Sequence, residues 1–238
     1  VVAISYPNAF DVVMKPEIFH TSSFVSDAVA LIVGEAEKAI AARGVFRIAL
    51  SGGNTPRPVY EVLAKRDLPW SRWEITFGDE RCVPPDDAQS NFRMAKNAWF
   101  EPAKIPAANI LRMEGELEPA AAAEKYESAL LEKSSPYGHD LILLGMGDDG
   151  HTASLFPGTN ALDVQDRLVV ANYVPKFSAH RLTFTYPLLN VARHVCFLVS
   201  SIGKEAVLQE VLAGNQNYPS ARVAPVDGHI TWLLGGGA

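Results

Sequence analysis

Short runs of consecutive apolar residues alternate along the chain with stretches whose apolar residues recur every three or four positions. Val45–Leu50, Trp73–Phe77, Leu141–Leu144 and His194–Val199 are the clearest runs. Each stops at a loop containing glycine: Ser51-Gly52-Gly53, Gly78-Asp79-Glu80-Arg81, Gly145-Met146-Gly147 and Ser200-Ser201-Ile202-Gly203. Strands apolar on successive residues are buried on both faces, as in a parallel sheet between two helical layers. Leu168–Val174 and Arg181–Thr185 read as further strands. Helices are predicted over 24–43, 87–100, 119–133 and 203–213, with Gly214 stopping the last. Thr55-Pro56 opens one more helical stretch carrying Val59, Tyr60 and Leu63; a proline fits there because its missing N–H is not needed at a helix start. The pattern predicts a doubly wound, mainly parallel α/β sheet flanked by helices. Ligands of such sheets sit outside the carboxyl ends of the strands.

Composition narrows the class. The 238 residues are 48% hydrophobic and 20% charged, and no Ser/Gly/Pro-rich linker divides them, so residues 1–238 read as a single α/β domain. A net charge of −6 argues against nucleic acid as a partner, which needs a basic face, yet leaves room for a small anion in a locally cationic cleft. Cys82 and Cys196 lie far apart and form no C-x-x-C pair, so reduced thiols and a cytoplasmic location are expected. No apolar stretch is long enough to span a membrane, and no basic segment followed by an apolar run marks a signal peptide. The first residue is Val rather than Met, which leaves open whether residues precede it.

Three loops concentrate the candidate chemistry. In Ser51-Gly52-Gly53-Asn54-Thr55-Pro56, two glycines let backbone N–H groups approach an anion, Ser51 and Thr55 add hydroxyls, and the following helix offers its positive end. This makes a phosphate cradle; a plain strand-to-helix turn would look the same. It is not a Walker A loop, because no Gly-Lys-Ser/Thr follows, and not a nucleophile elbow, because position 49 is Ala.

Gly145-Met146-Gly147-Asp148-Asp149-Gly150-His151 matches G-x-G-x-x-G after a strand. Two carboxylates in the loop would repel a pyrophosphate, and Pro157 would stop the helix a dinucleotide site requires. Asp149 and His151, two apart on a glycine-rich turn, suit a different task. A carboxylate beside an imidazole fixes its tautomer and makes it a general base near neutral pH. A structural histidine with a capping Asp is the alternative. A metal reading of Asp148, Asp149 and His151 lacks a second histidine at ligand spacing, an H-E-x-x-H or cysteine partners, so no metal is expected.

Gly78-Asp79-Glu80-Arg81-Cys82-Val83-Pro84 packs three charges after its strand. It reads as a solvated turn or as a site in which Asp79 or Glu80 meets hydroxyls or pairs with Arg81, and Arg81 meets an anion. Arg181 opens an apolar strand, and Lys204 sits at a helix start, where a cation opposes the helix dipole and implies a compensating anion.

Together these loops resemble the 6-phosphogluconolactonases. The matching strings are Ser51–Pro56, Gly78–Pro84 with Ser90-Asn91-Phe92-Arg93-Met94, and the specific run Gly145–Pro157, joined by Arg181-Leu182-Thr183, Gly203-Lys204-Glu205-Ala206 and Thr231-Trp232-Leu233-Leu234. The resemblance runs from about residue 45 to the end. It departs at Lys176–His180, where the family often carries prolines. It implies a Rossmann-like fold shared with isomerases and deaminases of sugar phosphates. It further implies hydrolysis of 6-phospho-D-glucono-1,5-lactone in the oxidative pentose phosphate pathway, with no cofactor. The implied partner is the phosphorylated sugar lactone; no nucleic acid or membrane partner is expected from the composition, and the expected assembly is a monomer or weak homo-oligomer. On this reading His151 activates water and Asp149 orients it, while Ser51, Gly52, Gly53, Thr55, Arg181 and Lys204 bind phosphate and Asp79 and Arg81 contact the substrate.

Glucosamine-6-phosphate deaminases are similar in the glycine loop, Asp79 and Gly147-x-Asp149-Gly150-His151, but place a working Glu before the proline that matches Pro157. Here that residue is Phe156. A non-catalytic sugar-phosphate binding protein is the third reading.

Overall fold

The computed structural model describes residues 15–133 and 138–236; the start at Val1, and with it the full 1–238 span, lies outside them. The central sheet has six parallel strands in the order β1-β9-β8-β5-β2-β3. These are β1 (Glu17–Thr21), β2 (Phe46–Leu50), β3 (Trp73–Phe77), β5 (Leu141–Leu144), β8 (His194–Ser200) and β9 (His229–Gly235). A three-stranded antiparallel sheet of β4 (Asp79–Arg81), β7 (Ala179–Phe184) and β6 (Val169–Val174) is joined to it through Gly78. Gly78 N–H donates to Leu50 O (3.0 Å), and its carbonyl accepts from Phe184 N–H (2.8 Å).

Consecutive apolar residues form these strands because each face has its own core. Leu141 and Leu143 pack with α1 (Phe24–Arg43), α2 (Arg57–Leu63) and α3 (Asn91–Ala95) on one face. Ile142 and Leu144 pack with α4 (Pro119–Lys133) and α6 (Glu205–Leu212) on the other. A short helix, α5 (Tyr186–Leu189), joins β7 to β8. The doubly wound, mainly parallel α/β architecture is therefore present, and α1, α4 and β5 have the bounds the pattern predicts. No described helix is long and apolar enough to cross a membrane. Cys82 and Cys196 are free thiols.

Three readings change. The predicted helix 87–100 starts only at Asn91, after a turn, and ends in a π-helical segment Lys96–Phe100. The charged turn after β3 is β4, which pairs with β7 in the register Asp79↔Thr183, Glu80↔Leu182 and Arg81↔Arg181. Strands β1 and β9, absent from the predicted set, complete one side of the sheet.

Candidate active site

From β2 the chain goes to β3 on one side and later returns with β5 on the other, so β2 and β5 flank the point where the winding reverses. Loops leaving neighbouring strands in opposite directions open a crevice at their carboxyl ends. A cavity of about 450 Å³ lies there, lined by Ser51, Gly52, Gly53, Thr55, Asp79, Arg81, His151, Arg181 and Lys204 among others. Of the candidate residues, Glu80, Asp148 and Asp149 are not in its wall. A larger cleft of about 870 Å³ adjoins it at Gly53, Asn54, Arg81 and Asn91 but is lined by neither His151 nor Asp149, so only the smaller cavity of the two holds the imidazole in its wall.

The loop after β5 curls back on itself. Gly147 N–H donates to His151 O (2.9 Å), and the Thr152 hydroxyl donates to Gly145 O (2.8 Å). Gly150 has φ +72°, a conformation costly for other residues. Gly147 is fixed by space: a Cβ there would lie 2.1 Å from Cε1 and Nδ1 of His151. No α-helix follows this loop, only a 3₁₀ turn at Asn160–Asp163, so the dinucleotide reading lacks its helix.

Asp149 Oδ1 lies 2.5 Å from His151 Nδ1 and also accepts from His151 N–H (3.2 Å). Asp149 Oδ2 accepts from Lys176 Nζ (3.0 Å), which also reaches Asp148 Oδ1 (3.2 Å). Burial opposes ionisation of Asp149, but the bond and charge of His151 and then Lys176 outweigh it and hold the carboxyl at about 2. With Nδ1 engaged by a carboxylate, Nε2 is the ring nitrogen that Asp149 does not occupy. The Phe156 ring stacks on the imidazole, with centroids 3.9 Å apart, and fixes its plane.

The segment after β3 has a division of labour that the residue types alone do not reveal. Glu80, 2% exposed, pairs with no cation; its carboxylate accepts from the N–H groups of Arg81, Asn91 and Phe92 (2.8 Å each) and from Ser90 Oγ (3.0 Å). It therefore anchors the start of α3, where Ser90 Oγ also accepts from Arg93 N–H (3.1 Å). Burial raises its pKa, against the lowering effect of these bonds. Asp79 accepts from Asn91 Nδ2 (3.0 Å) and Ser154 Oγ (2.6 Å), so it ties the β3 loop to the β5 loop. The expected ion pair of Arg81 with Asp79 or Glu80 does not form; Arg81 Nη1 donates to Gln89 O instead.

Three donors around the cavity are buried without partners: Ser51 Oγ, Arg81 Nε and Arg181 Nε. Burial, then the neighbouring charge of Arg81, lowers the pKa of Arg181. Lys204 caps α6 as expected, but its Nζ turns away from the helix to Met146 O (2.5 Å), so a carbonyl of the β5 loop supplies the negative partner. α2 has only seven residues, so the glycine loop contributes its own N–H groups rather than a long helix's dipole. The site also recruits Asn91, Ser154 and Phe177, which were not singled out for chemistry. Phe177 lies 5.1 Å under the Arg181 guanidinium, within the segment that departs from the family pattern.

A family described as glucosamine-6-phosphate isomerases/6-phosphogluconolactonase matches residues 20–232. Among curated relatives, a 6-phosphogluconolactonase of Synechocystis sp. is 44% identical over 233 residues, covering 93% of this chain and 96% of its own. One from Chlamydia muridarum is 35% identical, covering 85% and 80%. The crystal structure of 6-phosphogluconolactonase from Thermotoga maritima superposes with a TM-score of 0.85 at 33% identity, covering 93% of this chain and all of that one.

Proposed function

Because the chain belongs to the glucosamine-6-phosphate isomerase/6-phosphogluconolactonase family, we propose that it hydrolyses 6-phospho-D-glucono-1,5-lactone to 6-phospho-D-gluconate, with His151 as general base. The carrying observation is that His151, held at Nδ1 by Asp149, and a set of unpartnered buried donors line one cavity. Buried guanidinium and hydroxyl donors without partners are costly unless an anion completes them. The 6-phosphate does so, held by Ser51, the N–H groups of Gly52 and Gly53, Thr55, Arg181 and Lys204, with Arg81 beside Arg181.

Phosphate anchored there leaves the lactone carbonyl toward His151. Nε2 takes a proton from a water molecule as its oxygen attacks C1. The tetrahedral intermediate collapses by breaking the bond between C1 and the ring oxygen, and the imidazolium returns the proton to the departing C5 oxygen. Asp149 keeps Nδ1 protonated and stabilises the imidazolium, a contribution on the order of 10²–10⁴ in rate for the base. Asp79, held by Asn91 and Ser154, presents a fixed carboxylate to the sugar hydroxyls. Every step uses protein side chains and water, with no cofactor, in the oxidative pentose phosphate pathway.

Deamination of an amino-sugar phosphate is disfavoured by Phe156: an apolar ring stacked on His151 cannot relay the proton that carbon acid–base chemistry requires. The deciding measurement runs two assays in parallel on the purified chain. Opening of 6-phosphogluconolactone is timed against an enzyme-free blank, and ammonia release is followed from glucosamine 6-phosphate. Acceleration of the first alone supports the lactonase. Ammonia release, or no acceleration of either, rejects it.

A further inference from the structure

At the amino ends of the central strands, opposite the cavity, three side chains of metal-ligating type meet. They are Glu35 on α1, His194 at the first position of β8 and His229 at the first position of β9. Their donor atoms all lie within 4.8 Å of one another. His194 is 3% exposed and its Nε2 is paired with Thr231 Oγ1 at 2.9 Å. Its Nδ1 is buried with no hydrogen-bond partner among the described residues; Glu35 Oε1 lies 3.7 Å away, beyond hydrogen-bond reach. A buried imidazole nitrogen left unpaired inside a cluster of ligand groups needs a reason.

We propose that Glu35, His194 and His229 bind one divalent transition-metal ion of the zinc class. Two imidazoles with one carboxylate suit zinc, cobalt or nickel rather than calcium or magnesium, which favour all-oxygen sites. The Thr231 hydroxyl fixes the orientation of His194 by accepting from Nε2–H and turns the Nδ1 lone pair to the ion, the outer-shell arrangement usual for histidine ligands. A tetrahedral ion at about 2.0–2.1 Å from each ligand draws the donor atoms to roughly 3.3 Å of one another. The cluster closes by small movements of its two partly exposed members. The His229 ring turns out of its stack on His194 (centroids 3.8 Å), and Glu35 exchanges its contact with the largely exposed Lys38 (2.9 Å) for the ion. Water fills the fourth position from the solvent side. The ion fastens α1 to the starts of β8 and β9, so its effect is on stability. A second such cluster among the described residues, Asp148, Asp149 and His151, differs because Asp149 is already bonded to His151 and both aspartates to Lys176.

The test uses the full chain stripped with a chelator and then titrated with Zn²⁺ and with Co²⁺, followed by calorimetry, thermal melting and the visible absorption of tetrahedral cobalt. One equivalent is expected to bind and raise the melting temperature, with lactone hydrolysis unchanged. His229→Ala and Glu35→Gln, both at partly exposed positions, should each weaken binding by at least about tenfold, while His151→Ala binds as the parent does. Absence of binding by either ion, undiminished binding in both cluster variants, or loss of binding in His151→Ala overturns the proposal.

Discussion

Asp149 Oδ1 sits 2.5 Å from Nδ1 of His151, and Lys176 holds the other oxygen of the same carboxylate at 3.0 Å. The aspartate is therefore clamped on both sides, and the imidazole has one tautomer. His151→Ala is expected to lower kcat on the order of 10²–10⁴-fold with a smaller change in KM. Asp149→Asn, which removes the charge but keeps the shape, should fall in the same range. Steady-state kinetics corrected for spontaneous lactone opening check both, and a parent-like kcat in His151→Ala removes it from the mechanism.

Gly147 gives a sharper test of geometry. A single methyl there would lie 2.1 Å from the His151 ring and 3.0 Å from Asp149 Oδ1. Gly147→Ala should therefore dislodge the pair while leaving the residues proposed to hold phosphate in place. We expect kcat to drop by at least about 10², within the range of general-base catalysis, with the affinity for 6-phosphogluconate within a few-fold of the parent by calorimetry. Full activity in this variant would mean that the loop tolerates another His151 position and that the observed pairing is not the working one.

Lys204 and Arg181 are assigned to the anion. Lys204→Met and Arg181→Gln should raise KM for the phosphorylated lactone far more than for the unphosphorylated one. A charge-assisted hydrogen bond of about 1.5–3 kcal/mol corresponds to roughly a 10- to 150-fold loss. Equal losses on both substrates would sink the assignment.

A fourth expectation concerns stability. His139, 3% exposed, is driven down to about 4 by burial and then by the charge of Arg47, and its Nε2 is bonded to Thr76 Oγ1 (2.8 Å). The folded protein therefore binds this proton only near pH 4, whereas the unfolded chain takes it up near 6.5. Stability from this group is complete above pH 6.5 and falls as the pH drops. The loss is about 2 kcal/mol between pH 6.5 and 5 by proton linkage. Urea unfolding at both pH values should show that this slope is largely absent in His139→Gln; an unchanged slope would assign it to other groups.

What the sequence made legible follows from burial. β2, β3, β5 and β8 are covered on both faces and carry the uninterrupted apolar runs that announce such strands. β1 is exposed along nearly its whole length, so Glu17-Ile18-Phe19-His20-Thr21 carries no comparable signal. β4 is three charged residues whose strand character comes from pairing with β7, which no local pattern contains. The helix start at Asn91 was hidden for a similar reason: its anchor is Glu80, eleven residues upstream. The candidate site was legible where its residues lie close in sequence, as Asp149 and His151 do. The partners that aim them were not. Ser154 meets Asp79 across 75 positions, and Lys204 meets Met146 across 58. The Glu35–His194–His229 cluster comes from three distant segments and has no ligand spacing to read.

The pairing of β1 with β9 bears on how the molecule is made. During translation Thr21 leaves the ribosome about 210 residues before Thr231, the first residue of β9 that pairs with both β1 and β8. At ~5–20 residues per second that is an interval of roughly 10–40 s. Throughout it β1 has no neighbour, and β8, once made, waits with one edge open. The nascent chain passes through a stage with exposed strand edges while the Asp149–His151 loop has already been synthesised. Chaperone demand should therefore last until β9 is released.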